Sequence, residues 1–459
     1  MTRIRSQIAH DLPQTVIIGW GLGTLPMAIL FNSFNILALR YFVDFVGLTA
    51  AAAGSLIALS KLYDAATDPL MGTLSDRTRS RQGRRRIYLL LGGLLCGLVL
   101  VAVFSIPSGL ESGVAFALVA LVVFLYSTGY TVYSIPYIAM AAEISNAPHT
   151  RASMMSWRVL FIGVGGLFAG TFGPKLIEWF GGGAAGHRSM AMILGSLVLL
   201  FAVVTFLMTS RAPRGEKDAA PPAMPWREKL RTILDNRPFL ILLALKFFQL
   251  TGVAMASAML AFFTVWVLGR GYSDLGTIVF WTTVGQIAGT PLWLAFMRRF
   301  GKRSAFMFAA VMFAAVSLTW LASDAAEPLW VIALRVFTKG LATAGILLVG
   351  QVLLPDTIEY DRLRTGLRRE GVLSGMYTTI EKLAFAGGAA ITAFYLDWAN
   401  YLPGLTPTSG AQPQTAIDAI RYCQSVVPAV FIMLAAACLL AYRLPSTLTP
   451  VASAVADRP

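Results

Sequence analysis

Two carboxylates stand four residues apart in the stretch Lys61-Leu-Tyr-Asp64-Ala-Ala-Thr-Asp68, near the end of an apolar segment that begins at Ala50. Residues i and i+4 of a helix share one face, so both acids are expected on the same side. If the segment crosses a bilayer, each acid near its centre costs about 2.5–3.5 kcal/mol, and two like charges one turn apart also repel. The pattern predicts a site where a cation, sodium or a proton, binds and leaves. A purely structural ion pair between Lys61 and Asp64 is the alternative.

The composition is that of a polytopic membrane protein. Of 459 residues, 56% are hydrophobic and 13% are charged, whereas an average soluble domain has about 25% charged residues. Lysine and arginine outnumber the acids by 37 to 23, a net charge of +14, but they lie between apolar runs. Nucleic acid is therefore not an expected partner. No signal peptide is expected, and the spacing of the three cysteines indicates neither a metal nor a disulfide framework.

Twelve segments reach the length of about 17–25 residues that a membrane crossing requires. They are 14–41, 48–74, 87–107, 113–142, 153–180, 188–210, 238–268, 274–297, 304–323, 328–356, 372–398 and 422–443. Lysine and arginine concentrate in every second loop, beginning with six arginines at 77–86. By the positive-inside rule, this alternation predicts cytoplasmic N- and C-termini and a multi-pass protein of the plasma (inner) membrane.

A polar, proline-rich stretch at 211–237 divides the chain into residues 1–210 and 238–459. We expect it to be a cytoplasmic linker between two six-helix halves. A weak repeat supports the division, because Pro69 and Pro291 lie 222 residues apart and each precedes an arginine-rich loop. The expected fold is all-α, with twelve transmembrane helices in two pseudo-repeated halves, the arrangement of major facilitator transporters.

Further polar residues inside the apolar segments need a protein interior, water or a partner charge around them. Segment four combines tyrosines with Thr131, whose hydroxyl oxygen suits a hard cation, and with Pro136, which permits a kink. Arg335 and Lys339 have no adjacent acid and need either partners elsewhere or a water-filled cavity. Acids near loop arginines at the inner helix ends predict salt bridges that close that side. We assign this inner gate to Arg84, Arg85, Glu143, Arg151, Asp356, Glu359 and Asp361.

With these residues in view, the chain resembles the glycoside-pentoside-hexuronide:cation symporter family of the major facilitator superfamily. The resemblance spans nearly all twelve segments and rests on four stretches: Tyr41 to Leu48, Tyr63 to Gly72 with the arginine run after it, Tyr130-Thr131 with Ile135-Pro136, and Asp356 to Tyr360. It implies a symporter with no cofactor beyond a coupling ion, Na⁺ or H⁺. The implied cation-binding residues are Asp64, Asp68, Thr131 and Lys382, with the two aspartates as ligands if the ion is sodium. The expected solute-binding residues are Tyr130, Tyr133, Ser134, Trp157, Arg158, Gln351 and Lys382.

The chain departs from this family at two positions. Where the family's melibiose permease has sugar-binding carboxylates, ungapped matching finds Met27 and Ser134. Neither side chain supplies a charge-assisted hydrogen bond to a sugar hydroxyl. A sugar or glycoside remains the expected solute, and a lysophospholipid or other amphipathic solute is the alternative. An integral-membrane enzyme is disfavoured because the three histidines are far apart and no loop could form a catalytic domain. The expected partners are the solute, a monovalent cation and the bilayer, and the expected state is a monomer.

Overall fold

The computed structural model describes residues 12–144, 148–212, 236–365, 370–405 and 410–442, and all regular structure in these residues is helical. The α-helices are α1 (Gln14–Leu22), α2 (Thr24–Ser33), α3 (Ala50–Arg77), α4 (Arg86–Val103), α5 (Ser112–Ile144), α6 (Pro148–Leu167), α7 (Gly173–Trp179), α8 (Gly183–Met208), α9 (Arg237–Trp266), α10 (Tyr272–Leu318), α11 (Leu329–Thr365), α12 (Glu370–Trp398), α13 (Gln414–Gln424) and α14 (Val426–Ala441). Short π-helical segments occupy Phe34–Ala38, Tyr41–Phe45 and Phe168–Phe172.

Nine helical stretches within the described residues are long and apolar enough to cross a membrane. One of them, Tyr272–Ala322, has 51 residues, which is more than twice the length of about 20 that one crossing needs. It contains two crossings, because Gly301 interrupts the helix with a φ of 82°. The helices α3 and α12 are also long enough, with 28 and 29 residues. They are less apolar because they carry charged residues, among them Asp64 and Asp68 on α3 and Glu381 and Lys382 on α12. With them, the crossings number twelve, and the expected all-α membrane fold is confirmed.

The cap at Thr49 and a run of small residues explain where α3 begins. The Thr49 side chain accepts a hydrogen bond from the amide of Ala52 at 3.2 Å, which satisfies one of the amides that the first helical turn leaves open. Small side chains follow, and the helix continues to Arg77 with Pro69 inside it. Proline lacks the amide hydrogen that would bond to the carbonyl four residues earlier, so α3 has a free carbonyl beside its acids.

The internal repeat extends to a second pair of prolines. Pro69 lies in the second crossing of the first half, on α3, and Pro291 lies in the second crossing of the second half, on α10. Pro136 lies in the fourth crossing of the first half, on α5, and Pro355 lies in the fourth crossing of the second half, on α11. Corresponding helices therefore carry a proline at a similar depth.

The chain forms two compact units. Unit 1 comprises Met1–Ala219, Gly271–Phe280 and Pro403–Leu405; unit 2 comprises Ala220–Arg270, Trp281–Leu402 and Thr406–Pro459. Most of the expected linker, from 213 to 235, lies outside the described residues.

Close helix contacts in unit 1 depend on glycine. The helix α4 packs against α5 and α8, and α1 and α2 pack against α6. A Cβ on Gly93 would lie 2.2 Å from the Cβ of Ala202, and one on Gly97 would lie 2.7 Å from the carbonyl oxygen of Gly195. Both distances are too short for a Cβ, so these glycines permit the close helix contacts.

Unit 2 is organised around α9, which packs against α12 and α14. A buried apolar cluster lies between these helices, including Phe239, Leu242 and Ile432. The side chain of Asn236 caps α9 by accepting a hydrogen bond from the amide of Phe239 at 3.0 Å. The same side chain donates to Asp361 at 3.0 Å, which joins the start of α9 to the end of α11.

Candidate ion and solute site

The first carboxylate of α3 is buried beside a lysine. Asp64 is 2% exposed, and its Oδ2 lies 3.6 Å from the Nζ of Lys61, one turn earlier. The Lys61 ammonium also lies over the rings of Phe34 and Tyr126, with 5.5 and 5.6 Å to the ring centroids. Aromatic faces attract a cation and stabilise it where water is scarce. The ion pair between Lys61 and Asp64, which was the alternative interpretation of the sequence, is therefore present.

The second carboxylate of α3 contacts a hydroxyl on a neighbouring helix. The Oγ1 of Thr131, on α5, donates a hydrogen bond of 2.9 Å to the Oδ1 of Asp68. Thr131 is buried and Asp68 half-buried. The two aspartates follow each other by one helical turn, so α3 and α5 bring together two carboxylates and one hydroxyl. Oxygen ligands of this kind suit a hard cation, and either carboxylate is also able to take up a proton.

The tyrosines of α5 divide into two groups. Tyr130 is half-buried and stacks on Tyr126 at a centroid distance of 6.4 Å. Tyr133 and Tyr137 are fully buried, and their hydroxyls donate to the carbonyls of Gly23 at 3.0 Å and Trp20 at 2.8 Å. Tyr133 thus holds α5 against the start of α2, and its contact with a solute stays a prediction.

On α6, Trp157 and Arg158 are both half-buried. Trp157 stacks on Phe161 at 5.8 Å, and a Cβ on Gly21 would lie 2.6 Å from the Cβ of Trp157, so α1 and α6 are in close contact here. The Nε of Arg158 is buried and has no hydrogen-bond partner among the described residues. A buried N–H without a partner is costly, which makes Arg158 a candidate for a contact with a ligand.

Met27 and Ser134 are both buried. They occupy the two positions at which the family resemblance predicts carboxylates. Met27 is 7% exposed and Ser134 is 4% exposed. Both lie inside unit 1, on α2 and α5. Ser134 therefore presents little surface in this structure, and its role at the solute site stays a prediction.

Unit 2 contains a buried ion pair that the sequence analysis did not identify. The Nζ of Lys246, on α9, lies 2.9 Å from the Oε1 of Glu381, on α12. Lys246 is 1% exposed and lies over the ring of Tyr377 at 4.8 Å. A pair 135 residues apart in sequence can be predicted only from the requirement that a buried charge has a partner. Lys382, the next residue on α12, is half-buried, and Gln351 on α11 is exposed.

The same requirement accounts for Arg335 on α11. Its guanidinium forms an ion pair with Glu327 at 2.6 Å and lies over the ring of Trp320 at 4.6 Å. Lys339, one turn later, is 8% exposed and lies over the ring of Phe313 at 5.2 Å. Glu327 comes from the loop before the helix, so the expected partner exists outside the apolar segment.

The residues assigned to the inner gate form ion pairs inside each unit. In unit 1, Glu143 at the end of α5 contacts Arg84 and lies 3.2 Å from Arg85, whose second terminal nitrogen lies 2.5 Å from Asp76. The side chain of Arg151 lies outside the described residues.

In unit 2, the three acids near the end of α11 each have a polar partner. Asp356 forms an ion pair with Lys302 at 2.6 Å, and Glu359 pairs with Arg362 at 2.7 Å. Asp361 accepts the hydrogen bond from Asn236 described above. Whether any of these pairs opens and closes during function stays a prediction.

The fold of the chain resembles that of a solved transporter structure. A crystal structure of a bacterial homologue of the human lysosomal transporter Spinster, inward-facing and unoccupied, superposes with a TM-score of 0.69 at 17% identity, covering 95% of this chain and 100% of that chain. At this identity the likeness shows the fold alone, that of a major facilitator transporter.

The family model described as MFS/sugar transport protein matches residues 19–446, and the chain belongs to that family. Two relatives from Escherichia coli (strain K12) are each 27% identical. The inner membrane symporter YicJ matches over 91% of this chain and 89% of its own length, and the putative glycoside/cation symporter YagG over 91% and 90%. The expected family resemblance is confirmed, and the protein is a membrane transporter rather than an enzyme.

Proposed function

We propose that the protein is a cation-coupled secondary active symporter that carries an organic solute, a sugar or glycoside, by alternating access. The coupling ion is sodium or a proton. The family to which the chain belongs and the names of its relatives support this class of activity.

The observation that carries the proposal is the polar group on α3. Asp64 is almost completely buried, Asp68 follows one turn later, and Thr131 supplies a hydroxyl at 2.9 Å. Such charges are costly in a membrane helix and are retained there mainly for ion or substrate pathways. Asp64 lies beside Lys61, and a monovalent cation is proposed to bind at the carboxylates of Asp64 and Asp68.

The solute is proposed to contact the half-buried residues Tyr130, Trp157 and Arg158 of unit 1. Two aromatic faces and a guanidinium N–H without a protein partner are typical of sites that bind the apolar faces and hydroxyls of a sugar. With methionine and serine at positions 27 and 134, we do not expect a galactoside to be held by two carboxylates. Lys382 is proposed to belong to both the cation-binding and the solute-binding residues.

We further propose that the protein is a monomer of the inner membrane with both termini in the cytoplasm. The alternation of basic and neutral loops supports this orientation. The name of one relative, an inner membrane symporter, supports the location.

Transport by the purified protein in proteoliposomes tests the proposal. A panel of labelled glycosides, with lysophospholipids as the alternative class, is assayed for counterflow and for accumulation driven by a sodium gradient or by a proton gradient. We expect at least one glycoside to accumulate under one of the two gradients. In Asp68→Asn, which keeps the shape and removes the charge, accumulation is expected to cease. Glu111→Gln, which removes an exposed acid, serves as the matched control.

Three results would contradict the proposal. Accumulation by Asp68→Asn equal to that of the parent would show that α3 does not couple the ion. Uptake of lysophospholipids without uptake of any glycoside would assign the alternative solute class. Solute flux that saturates with neither solute nor cation would indicate a pore.

A further inference from the structure

A basic cavity lies at one end of unit 1, outside the candidate ion site. Its volume is about 780 Å³, and it is formed by the loop between α3 and α4 together with the ends of α5 and α8. Six arginines and two acids line it, which leaves a formal excess of four positive charges. The arginines are Arg77, Arg79, Arg81, Arg84, Arg85 and Arg86.

Local geometry fixes the loop around the cavity. Thr78 follows the last residue of α3, and its hydroxyl lies 2.7 Å from the hydroxyl of Tyr88 on α4, within hydrogen-bond distance. The turn between the two groups of arginines contains Gly83 with a φ of 103°, a backbone conformation that side chains disfavour. These two features set the ends of α3 and α4 at a defined separation.

The acids of the cavity are already neutralised. Glu143 contacts both Arg84 and Arg85, and Asp76 contacts Arg85. Arg86 donates to the carbonyl of Phe206 at 2.6 Å, so its charge is also held in place. Asp76 and Glu143 therefore cancel only part of the positive charge of the lining. The ion pairs and the contact of Arg86 hold part of the arginine charge in place.

The helix α4 adds a second feature that favours an anion. It begins at Arg86, and neither a side-chain cap nor an acid occupies its first turn. The amides of a helical N-terminus carry partial positive charge and point outward, which makes them donors to phosphate or carboxylate. Arg85 and Arg86 line the cavity, so this terminus is adjacent to it.

The position of the cavity indicates where its ligand comes from. Leu70 and Leu74 on α3 are 67% and 56% exposed, and Leu207 on α8 is 59% exposed. These leucines precede the cavity residues Arg77 and Ser210 by three to seven residues, about 5–10 Å along a helix. A bilayer that covers the leucines places its headgroups at the level of the arginines.

We propose that this cavity binds the phosphate of an anionic phospholipid headgroup. Arginine suits phosphate because its planar donors form two parallel hydrogen bonds to the oxygens. A soluble phosphate ester shares the same chemistry, but the exposed leucines beside the cavity favour the lipid. The proposal is independent of the transported solute and of the coupling ion.

Binding is measured by the thermal shift of the purified full-length protein in a neutral detergent. Dioctanoyl phosphatidylglycerol is compared with dioctanoyl phosphatidylcholine, glycerol 3-phosphate and inorganic phosphate at equal concentrations. We expect only phosphatidylglycerol to raise the melting temperature substantially, and the shift to shrink as salt is added. An equal shift with phosphatidylcholine would overturn the proposal, and an equal shift with either soluble phosphate would reassign the cavity to a soluble anion.

Paired double variants separate this site from general surface charge. Arg77→Gln with Arg79→Gln removes two exposed arginines of the cavity, and Arg298→Gln with Arg299→Gln removes two exposed arginines near the end of the first crossing of α10. We expect the first variant to weaken phosphatidylglycerol binding roughly tenfold and the second to leave it unchanged. Equal weakening in both would show that the lipid binds surface charge without a site. If the first variant does not elute as the parent does, Arg79→Gln alone is compared with Arg299→Gln, and the same two outcomes decide.

Discussion

Each unit buries one lysine beside one carboxylate in a membrane helix, and the two pairs differ in geometry. In unit 1, the nitrogen of Lys61 lies 3.6 Å from an oxygen of Asp64. In unit 2, the nitrogen of Lys246 lies 2.9 Å from an oxygen of Glu381. The shorter distance is that of a charge-assisted hydrogen bond, whereas the longer one is a looser electrostatic contact.

The two pairs also differ in what surrounds the carboxylate. One turn after Asp64 stands a second acid, Asp68, which accepts a hydrogen bond from Thr131. One turn after Glu381 stands Phe385. The group in unit 1 therefore combines two acids with a lysine and a hydroxyl, whereas the pair in unit 2 joins one acid of α12 to one lysine of α9. The second acid and the hydroxyl make the group in unit 1 the candidate for ion exchange, and the pair in unit 2 the candidate for a structural contact.

The largest expected effect is a difference in ion coupling between variants of Asp64 and of Glu381. A membrane potential of about 100 mV is worth about 2.3 kcal/mol for one coupled charge, which corresponds to roughly fiftyfold accumulation. We expect Asp64→Asn to reduce the accumulation ratio to about one, because the cation loses a ligand or the proton its acceptor. Glu381→Gln should keep its dependence on the cation, even if its rate falls. Initial uptake and steady-state accumulation in proteoliposomes measure both, and loss of coupling in Glu381→Gln with coupling intact in Asp64→Asn would reverse the assignment.

The second effect concerns stability and is measured by double-mutant cycles. The first cycle combines Lys246→Met with Glu381→Leu, and the second combines Lys61→Met with Asp64→Leu. Removal of one partner of a buried pair costs about 3–5 kcal/mol, but the Glu381 side chain is 31% exposed, so we expect a coupling energy of about 2 kcal/mol in unit 2. In unit 1, the distance of 3.6 Å is longer than a hydrogen bond, so we expect a coupling energy smaller than that in unit 2.

Denaturation in mixed micelles provides the free energies for these cycles. The double variant in unit 2 should recover most of the stability that either single variant loses, because no uncompensated charge remains. A larger coupling energy in unit 1 than in unit 2 would mean that Lys61 neutralises Asp64 fully and that no room is left for an exchanging cation.

Local spacing explains why one of these pairs could be predicted from the sequence and the other could not. Lys61, Asp64 and Asp68 lie on one helix, and the helical period fixes which of them share a face. The membrane class and the twelve crossings followed from hydropathy and from the lengths of the apolar segments. Lys246 and Glu381 lie on helices that are distant in sequence, so their contact depends on how α9 and α12 pack.

Burial of individual side chains was also beyond the reach of the sequence. Tyr130 and Tyr133 both belong to an aromatic stretch of α5, and helical phase alone does not tell which of them packs against α2. The structure shows that Tyr133 donates to the Gly23 carbonyl and that Tyr130 is only half-buried. Likewise, Arg335 has its partner in the loop residue Glu327, which hydropathy placed outside the segment.

A smaller effect is expected at the hydroxyl that distinguishes the site of unit 1. Thr131→Val keeps the shape of the side chain and removes the hydrogen bond to Asp68. A hydrogen bond to a charged group is worth about 1.5–3 kcal/mol, so the cation concentration for half-maximal transport should rise roughly tenfold. The maximal rate at saturating cation should change little. Thr338→Val, which alters a half-buried threonine of α11, is the matched control, and an unchanged cation dependence in Thr131→Val would remove Thr131 from the site.

The smallest expected effect tests how the aromatic rings hold the two lysines. Tyr126→Phe and Tyr377→Phe keep the ring faces over which the ammonium groups of Lys61 and Lys246 lie, at 5.6 and 4.8 Å, and remove only the hydroxyls. The Tyr377 hydroxyl donates to the carbonyl of Gly350 at 3.0 Å, whereas that of Tyr126 has no hydrogen bond within the described residues. We therefore expect Tyr377→Phe to lower the free energy of unfolding by about 1 kcal/mol and Tyr126→Phe to change it by less than about 0.5 kcal/mol. Cation dependence of transport should be that of the parent in both variants, because a ring face attracts a cation with or without its hydroxyl. A marked shift of cation affinity in Tyr126→Phe would instead show that this hydroxyl takes part in the ion site and that the aromatic contact in unit 1 is more than a support for Lys61.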